Sequence, residues 1–356
     1  MSRRIVFLPP HTLWPAWNGE PPGDDQDPER PYRLLAERGF SYARRELNPF
    51  PINPGARAHS IFRAIDPVRA LDLMLRDREA EIVVCFFESS ALVTLLLRRV
   101  LGFKAKVIVV DLGMPEWRPR RFLLDMVVPR ADAILPYSTA HAEMIRQTWP
   151  NARLVYPVQA QVDPEFFNET PDQPDGPVLA IGDDHSRDYA TLLAAAPAVD
   201  HAIVIRTKLA LPEPLPANVQ IMSDALPPVG YRDLLARALI VVLPLHPVVN
   251  GGGTSVMVQA MASGKAVVVS ASPGVLDYVV DGETGLVVPC HDPQAMQAAI
   301  TRLLDDPALR RKLGAAARQR ALRLNSYEAW ADTIETVVGL LSALPADQAR
   351  PTTPLV

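Results

Sequence analysis

Cysteine is almost absent from this chain of 356 residues, which contains only Cys85 and Cys290. Each stands in a hydrophobic run, as buried thiols do, so we expect no disulfide framework and a reducing, cytoplasmic compartment. A surplus of basic charge is also lacking, because the formal net charge is −4 and the isoelectric point is near 6.0. We therefore expect no nucleic-acid partner.

Long hydrophobic runs are missing as well. The longest, ALVTLLL and ALIVVLPL, fall well short of the roughly 20 apolar residues that a membrane-spanning helix needs. The N-terminal run IVFL is too short for a signal peptide, and prolines follow it at once. The chain does contain 48% hydrophobic residues, which is enough for a large core. Its length suggests two domains of roughly 150 to 180 residues.

Short apolar runs alternate with helix-like stretches along most of the chain. RRIVFLPP, AEIVVCFFE, KAKVIVVDLG and ADAILPYS have the nearly continuous apolar character of buried parallel strands. The pattern begins again after an acidic, proline-rich stretch, with PVLAIGDD, HAIVIRT and LIVVLPL. The chain ends in stretches with helical spacing. We predict an α/β fold of two parallel-sheet units joined near residue 170.

The segment NGGGTSVMVQAMASGKAVVVS, which begins at Asn250, joins a glycine-rich loop to a helix and then to a strand. The glycines allow the backbone to approach a ligand closely, and Thr254 and Ser255 are residue types that cap the start of a helix. The open N–H groups and the positive dipole end of that helix would face whatever lies over the glycines. This order predicts a site for a diphosphate.

These motifs follow one another as in a known enzyme family. The succession VVLP, GGGTSVMVQAMASGKAVVVS, PGVLDYVVDGETGLVVP and LLDDPALRRKLGAAAR carries the resemblance, with weaker matches at VQAQVDPEFF, IGDDHSRDYATLLAAA and SYEAWADTI. The chain resembles the nucleotide-sugar glycosyltransferases of family 4, which have the GT-B fold of two facing Rossmann-like domains. The resemblance implies an acceptor-binding domain over 1–170, a nucleotide-sugar-binding domain over 171–325 and a helix returning to the first domain over 326–345. From its composition we expect the tail over 346–356 to be disordered.

The resemblance also implies how the site works. A retaining transfer would move a sugar from a nucleoside diphosphate to a glycan, lipid-linked or small-molecule acceptor, and the leaving diphosphate would take the acceptor's proton. Family members usually carry a Lys a few residues after the glycine that ends the domain's first strand, and Arg187 stands in that place. Its planar fork can neutralise the departing diphosphate. The implied donor-binding residues are Gly182, Asn250, Gly252, Gly253, Thr254, Ser255 and Gln259.

The sequence departs from the family pattern at several positions. Most members have a Glu where Gln259 stands, and another where Gly251 stands. Gln259 can still accept one hydrogen bond and donate another to the ribose, while Asn250 or His246 could contact the sugar. In the first domain, Asp111 stands near the place of a family His. It is our candidate for orienting the sugar or receiving a proton, and capping of a turn is its alternative role. Glu88, which has the same strand-end position, is the alternative candidate.

Further features leave alternatives open. The paired aspartates that begin at Asp24, Asp183 and Asp305 lie in loops or helix ends, and the seven histidines are scattered. We therefore expect no metal site and no cofactor besides the donor. The basic patch of Arg118, Arg120 and Arg121 is either a solvated helix face or a contact with an anionic lipid. Trp14, Trp17 and Asn18 either line the ligand crevice or pack on their own domain.

Two rival functions fit the same sequence. The substitution at Gln259 and the missing His allow a GT-B protein that binds a nucleotide sugar without transferring it. A GT-B epimerase acting on a nucleotide sugar is the other rival, and it would release no free nucleoside diphosphate. A dinucleotide oxidoreductase fits less well, because the first strand leads into PPHTLWPAW rather than a GxGxxG turn.

Overall fold

The computed structural model describes residues 3–9, 29–45, 66–110 and 118–344, and for residues 118–120 it describes the backbone alone. These residues fold into two compact units. Unit 1 contains the described residues up to Val158 together with those from Ala331 onward, and unit 2 runs from Gln159 to Trp330.

Unit 1 is built on a sheet of five strands in the order β2-β1-β3-β4-β5, and every pairing is parallel. The last helix among the described residues, α11, begins in unit 2 and continues into unit 1. The described elements of unit 1 are β1 (Arg3–Leu8), α1 (Arg30–Glu37), β2 (Phe40–Arg44), α2 (Pro67–Arg76), β3 (Ile82–Phe86), α3 (Phe87–Val100), β4 (Lys106–Val110), α4 (Arg118–Val127), β5 (Ala133–Leu135), α5 (Thr139–Thr148) and α11 (Tyr327–Ala343).

Unit 2 has a six-stranded parallel sheet in the order β11-β10-β9-β6-β7-β8. From β6 the chain adds β7 and β8 towards one edge of the sheet, and then crosses to the other side of β6, where β9, β10 and β11 build the other edge. The order in which strands are added therefore reverses between β6 and β9. Its elements are β6 (Val178–Ile181), α6 (Tyr189–Ala195), β7 (Ile203–Arg206), β8 (Val219–Met222), α7 (Pro228–Arg237), β9 (Ile240–Leu243), α8 (Thr254–Ala262), β10 (Ala266–Ser270), β11 (Leu286–Val288), α9 (Pro293–Asp305) and α10 (Pro307–Leu324).

The reversal between β6 and β9 matters for function. In open parallel sheets, ligands bind outside the carboxyl ends of the strands at the point where the strand order reverses. Gly182 directly follows β6, and the glycine-rich loop lies between β9 and α8. The fold therefore brings two glycine-bearing loops, distant in sequence, to the favoured edge of one sheet.

Local sequence explains why these elements form. The central strands β6, β9 and β10 are buried at every residue, as the continuous apolar runs predict. Several helices begin with an aspartate followed by proline. Asp292 accepts a hydrogen bond from the backbone of Ala295, and Asp306 accepts one from Leu309, each at 2.9 Å. The carboxylate satisfies an open N–H group, while proline fits the first helical turn, where no donor is required.

The division between the units falls at Val158 and Gln159 rather than at residue 170. The intervening segment is tied to unit 2 by Asn325, whose side-chain amide donates to the carbonyl of Ala160 at 2.8 Å. The Asn325 carbonyl in turn accepts from the backbone of Val162 at 2.7 Å. The acidic, proline-rich stretch that suggested the later boundary lies within unit 2. The predicted tail over 346–356 lies outside the described residues.

Candidate functional site

The glycine-rich loop ends in a backbone conformation that favours glycine. Gly253 precedes the first residue of α8 with φ of 92°, in the left-handed region, and no side chain caps the helix. Thr254 and Ser255 therefore do not cap α8, contrary to what their residue types suggested. Thr254 is the first helical residue, and its hydroxyl donates to the carbonyl of Gly251 at 2.7 Å. The helix N-terminus keeps a partial positive charge that no capping side chain occupies.

Arg187 lies against the glycines of both loops. Its side chain is buried, and its Nε donates to the carbonyl of Ile181 at 3.0 Å. A Cβ atom on Gly182 would lie 2.0 Å from that Nε, and a Cβ atom on Gly253 would lie 3.0 Å from Nη1 of the same guanidinium. Only glycine at Gly182 leaves room for this side chain. The fold thus brings the predicted residues Gly182, Arg187 and Gly253 together.

Two neighbours of Arg187 complete its surroundings. Its Nη1 donates to Oγ of Ser186 at 3.1 Å and lies 3.3 Å from Oδ2 of Asp184. A Cβ atom on Gly252 would lie 2.5 Å from the same Ser186 Oγ. Because the Asp184 side chain is half exposed, its pairing with Arg187 is open to solvent. The guanidinium charge is therefore only partly neutralised within the protein, next to the N-terminus of α8.

The carbonyl of Gly182 is held by two hydroxyl groups. Tyr189 Oη donates to it at 2.8 Å, and Thr207 Oγ1 donates at 2.7 Å. Burial raises the pKa of Tyr189 to about 12, so this hydroxyl stays protonated and keeps donating at physiological pH. The position of the strand-end glycine is therefore fixed by buried hydrogen bonds.

Gln259 lies one helical turn after Ser255, on the same side of α8. Its Oε1 accepts a hydrogen bond from Oη of Tyr231 at 2.8 Å, and the Tyr231 ring meets Phe167 edge-on with centroids 6.2 Å apart. Burial raises the pKa of Tyr231, so the hydroxyl remains a donor. Sequence reasoning did not identify Tyr231, because nothing in the pattern YRDLLARA distinguishes it from an ordinary helical tyrosine.

Asn250 lies at the start of the glycine-rich loop. Its Oδ1 is buried and has no hydrogen-bond partner among the described residues. A Cβ atom on Gly252 would lie 3.5 Å from that oxygen. Buried polar atoms without a partner are uncommon in folded proteins and often belong to ligand sites. Asn250 therefore directs an unsatisfied polar group towards the glycine-rich loop.

His246 was one candidate for a contact with the sugar, and the structure places it beside another histidine. The ring centroids of His246 and His291 are 5.1 Å apart, and His291 Nδ1 lies 2.8 Å from Oδ2 of Asp188. The interpretation of the histidines as scattered is therefore wrong for this pair. Their proximity depends on the fold, since they lie far apart in the chain.

The candidates in unit 1 have different surroundings. Glu88 lies in the first turn of α3, directly after β3, and only 1% of its surface is exposed. Phe87, which precedes it, has φ of 64° in the left-handed region. Asp111 lies outside the described residues, as do Trp14, Trp17 and Asn18. The catalytic roles suggested for Asp111 and Glu88 thus stay predictions.

The basic patch is described only at Arg121, since the side chains of Arg118 and Arg120 lie outside the description. Arg121 Nε donates to Asp125 at 2.9 Å, and its guanidinium carbon lies 4.8 Å from the centre of the Trp149 ring. Asp125 also accepts from the Trp149 indole at 2.7 Å. The charge of Arg121 is shared with Asp125, which does not support a membrane contact at this residue. In the part of the chain that the structure describes, no helix is both long and apolar enough to span a bilayer.

Solved structures of other proteins share this fold. Sucrose-phosphate synthase from Thermosynechococcus elongatus has a TM-score of 0.71 at 19% identity, covering 96% of this chain and 99% of that one. Anabaena HepE in complex with UDP-glucose has a TM-score of 0.68 at 14% identity, covering 95% of this chain and 99% of that one. These likenesses confirm the predicted α/β class, the GT-B fold with two Rossmann-like domains. At such identities they show the fold alone.

Sequence comparison adds a family within that fold. Residues 208–320, which lie in unit 2 and include the glycine-rich loop, match the family model Glycosyl transferases group 1. A D-inositol 3-phosphate glycosyltransferase from Corynebacterium diphtheriae is 31% identical over 47% of this chain. A protein of the same description from Acidothermus cellulolyticus is 33% identical over 35% of it. The matches span only 38% and 26% of those relatives' lengths. They support the predicted resemblance to glycosyltransferases over the second half of the chain.

Proposed function

We propose that this protein is a glycosyltransferase that binds a nucleoside diphosphate sugar in unit 2 and transfers the sugar to an acceptor. One observation carries the proposal. The Arg187 guanidinium packs against Gly182 and Gly253 at the uncapped N-terminus of α8. Helix N-termini bind phosphate through their open N–H groups, and a guanidinium can donate two parallel hydrogen bonds to phosphate oxygens.

The proposed donor site extends from the phosphates to the sugar and the ribose. The backbone N–H groups at the start of α8, together with Ser255, would bind the diphosphate above Gly252 and Gly253. The amide of Gln259 would bind the ribose, and Oδ1 of Asn250 is placed to accept from a sugar hydroxyl because it has no described protein partner. The HepE and TarM structures that share the fold were solved with UDP, and HepE also with UDP-glucose, which supports a sugar nucleotide as the ligand.

The proposed chemistry is transfer with retention, as in glycosyltransferase family 4. When the bond to the anomeric carbon breaks, negative charge collects on the diphosphate, and Arg187 with the α8 dipole would stabilise it. The leaving diphosphate would take the acceptor's proton on the same face. Because these groups already supply positive charge, we propose that no metal is required for transfer. Asp111 or Glu88 would orient the sugar or the acceptor.

Two finer proposals concern the acceptor and the location of the protein. We place the acceptor, a glycan, a lipid or a small molecule, on unit 1. A cytoplasmic location is part of the proposal, and so is a peripheral membrane contact through Arg118, Arg120 and Arg121, for which Arg121 would have to leave Asp125. Retention of the protein on anionic vesicles, lost in the triple alanine variant, is the measurement that checks this contact.

The donor site is tested by calorimetry with the sugar nucleotide that gives the largest thermal shift among UDP-, GDP-, ADP- and dTDP-sugars. We expect Arg187→Gln to weaken donor binding by about a hundredfold and Ser255→Ala by about fivefold, since charge-assisted contacts are the stronger ones. The matched control is Arg232→Gln, an arginine of unit 2 whose guanidinium lies over the Phe166 ring. Unchanged donor affinity in both test variants would show that the diphosphate does not bind here.

A second candidate function is nucleotide-sugar binding without transfer. It is favoured by Gln259, whose carbonyl oxygen already accepts from Tyr231 and so has less capacity for the ribose. A coupled assay for released nucleoside diphosphate separates the two functions, because only transfer or hydrolysis releases it. Binding with no release across a panel of acceptors would favour the second function or the epimerase.

A further inference from the structure

Three metal-ligating side chains meet in unit 2 on separate connections of the sheet. Asp188 precedes α6, His246 follows β9, and His291 lies between β11 and α9. One ligand atom from each lies within 4.8 Å of the others, and the Asp188–His291 pair is at 2.8 Å. We call these residues the Asp188–His246–His291 cluster. Their meeting is a product of the fold, because the chain separates them widely.

Backbone pairing explains why Asp188 and His246 share one side of the chain. The segments around Arg187 and Leu245 form an antiparallel bridge, in which His246 N donates to the Ser186 carbonyl and Asp188 N to the Pro244 carbonyl, both at 2.9 Å. Side chains alternate across such a pairing. Arg187 and Leu245 both point at Gly253. The alternate residues Asp188 and His246 consequently point away from the glycine-rich loop, towards His291.

His291 has a backbone conformation that residues other than glycine seldom adopt. Its φ is 59°, one of two positive values among the described residues other than glycine. Such a backbone costs roughly 1 to 3 kcal/mol and persists where the surroundings fix it, often at functional sites. This backbone places Nδ1 of His291 against the Asp188 carboxylate.

The cluster has the features of a site that an ion can enter. The Asp188 side chain is 3% exposed, whereas the His291 side chain is 54% exposed, so one side is open to solvent for a water ligand. Thr191 holds the Asp188 carboxylate in place. Its Oγ1 donates to Oδ2 of Asp188 at 2.6 Å, and its backbone N donates to Oδ1 at 3.2 Å. Outer hydrogen bonds of this kind hold metal-ligating carboxylates in place.

We infer that the Asp188–His246–His291 cluster binds one divalent transition-metal ion, with Zn²⁺ as the best match. Two imidazoles and one carboxylate, with a fourth position open, form a set that Zn²⁺ takes up. Bonds of about 2.1 Å place tetrahedral ligands roughly 3.4 Å apart. The separations between ligand atoms, now within 4.8 Å, must therefore change by no more than about 1.4 Å. This inference rests on the geometry of unit 2 and is independent of the proposed glycosyl transfer.

The position of the ion defines its role. Asp188 and His246 are each adjacent in sequence to a residue that packs against Gly253, so an ion would clamp the backbone that carries Arg187. It would act as a structural clamp beside the donor site without touching the diphosphate. The three ligands are positioning residues in this sense. Metal binding should raise thermal stability even if the protein transfers no sugar.

The test uses the full chain without a histidine tag, stripped with EDTA and titrated with ZnCl₂ by calorimetry. We expect one equivalent of Zn²⁺ to bind and to raise the melting midpoint, and we expect Co²⁺ to give the visible absorption bands of a tetrahedral site. Mg²⁺ should have no effect, because it prefers oxygen ligands. Absence of stoichiometric Zn²⁺ binding would overturn the inference.

Variants assign the site. His246→Gln and His291→Gln should each weaken Zn²⁺ binding at least tenfold, and the double variant should abolish the Co²⁺ bands. His185→Gln is the matched control, since His185 is an exposed histidine close to Asp188 in sequence but outside the cluster. Circular dichroism in EDTA checks folding, and if the double variant unfolds, the exposed single change His291→Gln decides. Full Zn²⁺ affinity in folded His291→Gln, or equal loss in His185→Gln, would contradict the assignment.

Discussion

The two units share an architecture but differ in how their strand ends are built. Both have an all-parallel sheet with crossover helices. In unit 2, the end of β6 and the loop after β9 are joined through Arg187, which only glycine at Gly182 accommodates. In unit 1, the end of β3 leads straight into α3, and the acidic residue there, Glu88, is buried. At β6 the sheet of unit 2 ends in glycines packed against a buried arginine, whereas at β3 the sheet of unit 1 ends in the packed first turn of a helix.

This contrast shows where function constrains the backbone. In unit 2, the proposed anion site depends on the shape of the backbone, which requires glycine at Gly182 and Gly253. The family-model match over residues 208–320 lies wholly in unit 2. In unit 1, apolar packing is the requirement, which many sequences satisfy. On the proposed function, the recognisable sequence lies in the half that would bind the constant part of the substrate.

The largest expected effect comes from filling the space under Gly182. In Gly182→Ala the new Cβ would overlap the Arg187 guanidinium at 2.0 Å, and φ is 154°. We expect a loss of roughly 3 kcal/mol in the free energy of unfolding, together with the loss of donor binding, because Arg187 must leave its place. Denaturant unfolding and donor calorimetry measure the two effects.

The matched control for that variant lies in unit 1. Gly102 also has a positive φ, 65°, but a Cβ there would meet nothing within 4 Å. Gly102→Ala should therefore cost only about 1 kcal/mol, the conformational cost alone, and leave donor binding intact. If the two alanine variants were equally stable, the contrast between a packed functional glycine and an ordinary turn glycine would not hold.

Sequence alone predicted the main features of this fold because apolar runs, proline and glycine act locally. The buried strands and the glycine-rich loop were each predicted from neighbouring residues. Arg187 was identified through the family resemblance, which implies a basic residue a few positions after Gly182. The sequence could not predict contacts between distant segments, such as the Tyr231 hydroxyl on Gln259, because nothing local encodes them.

The Asp188–His246–His291 cluster is a second example of a contact between distant segments that the sequence could not predict. A bridge between two loops and a left-handed backbone at His291 bring its members together, and neither feature has a sequence signal. The boundary between the units was likewise placed by composition, whereas the hydrogen bonds of Asn325 to Ala160 and Val162 decide it.

A second test compares buried and exposed histidines in the two units. His141 of α5 is fully buried, and neither ring nitrogen has a hydrogen-bond partner among the residues described. Burial lowers its pKa from 6.5 to about 4. Between pH 6.5 and pH 4 the unfolded chain binds a proton at His141 that the folded chain does not. The folded state therefore has its full stability above pH 6.5 and becomes less stable as pH falls towards 4.

His141→Leu should remove this dependence. As pH falls from 7 to 4, we expect the free energy of unfolding of the variant to rise by up to about 3 kcal/mol relative to that of the parent protein. At pH 7.5 and above, titration of His141 should contribute almost no difference between the two. Denaturant midpoints across that pH range measure it. His185→Leu, at an exposed site of unit 2, should show no such trend. Parallel pH profiles for His141→Leu and the parent would mean that His141 is not held neutral by burial.

The smallest expected effect probes the weakest point of the donor site, Gln259. In Gln259→Glu the Tyr231 hydroxyl, which burial keeps protonated, would donate to a carboxylate oxygen and leave the second oxygen for the ribose. We expect donor affinity to rise by about tenfold, or roughly 1.4 kcal/mol, with Gln259→Leu as the control that removes both contacts. Calorimetry measures affinity, and release of nucleoside diphosphate measures turnover. A fall in both for Gln259→Glu would show instead that the amide is fitted to its own donor. The departure from the family pattern at Gln259 would then reflect the choice of substrate rather than a loss of donor binding.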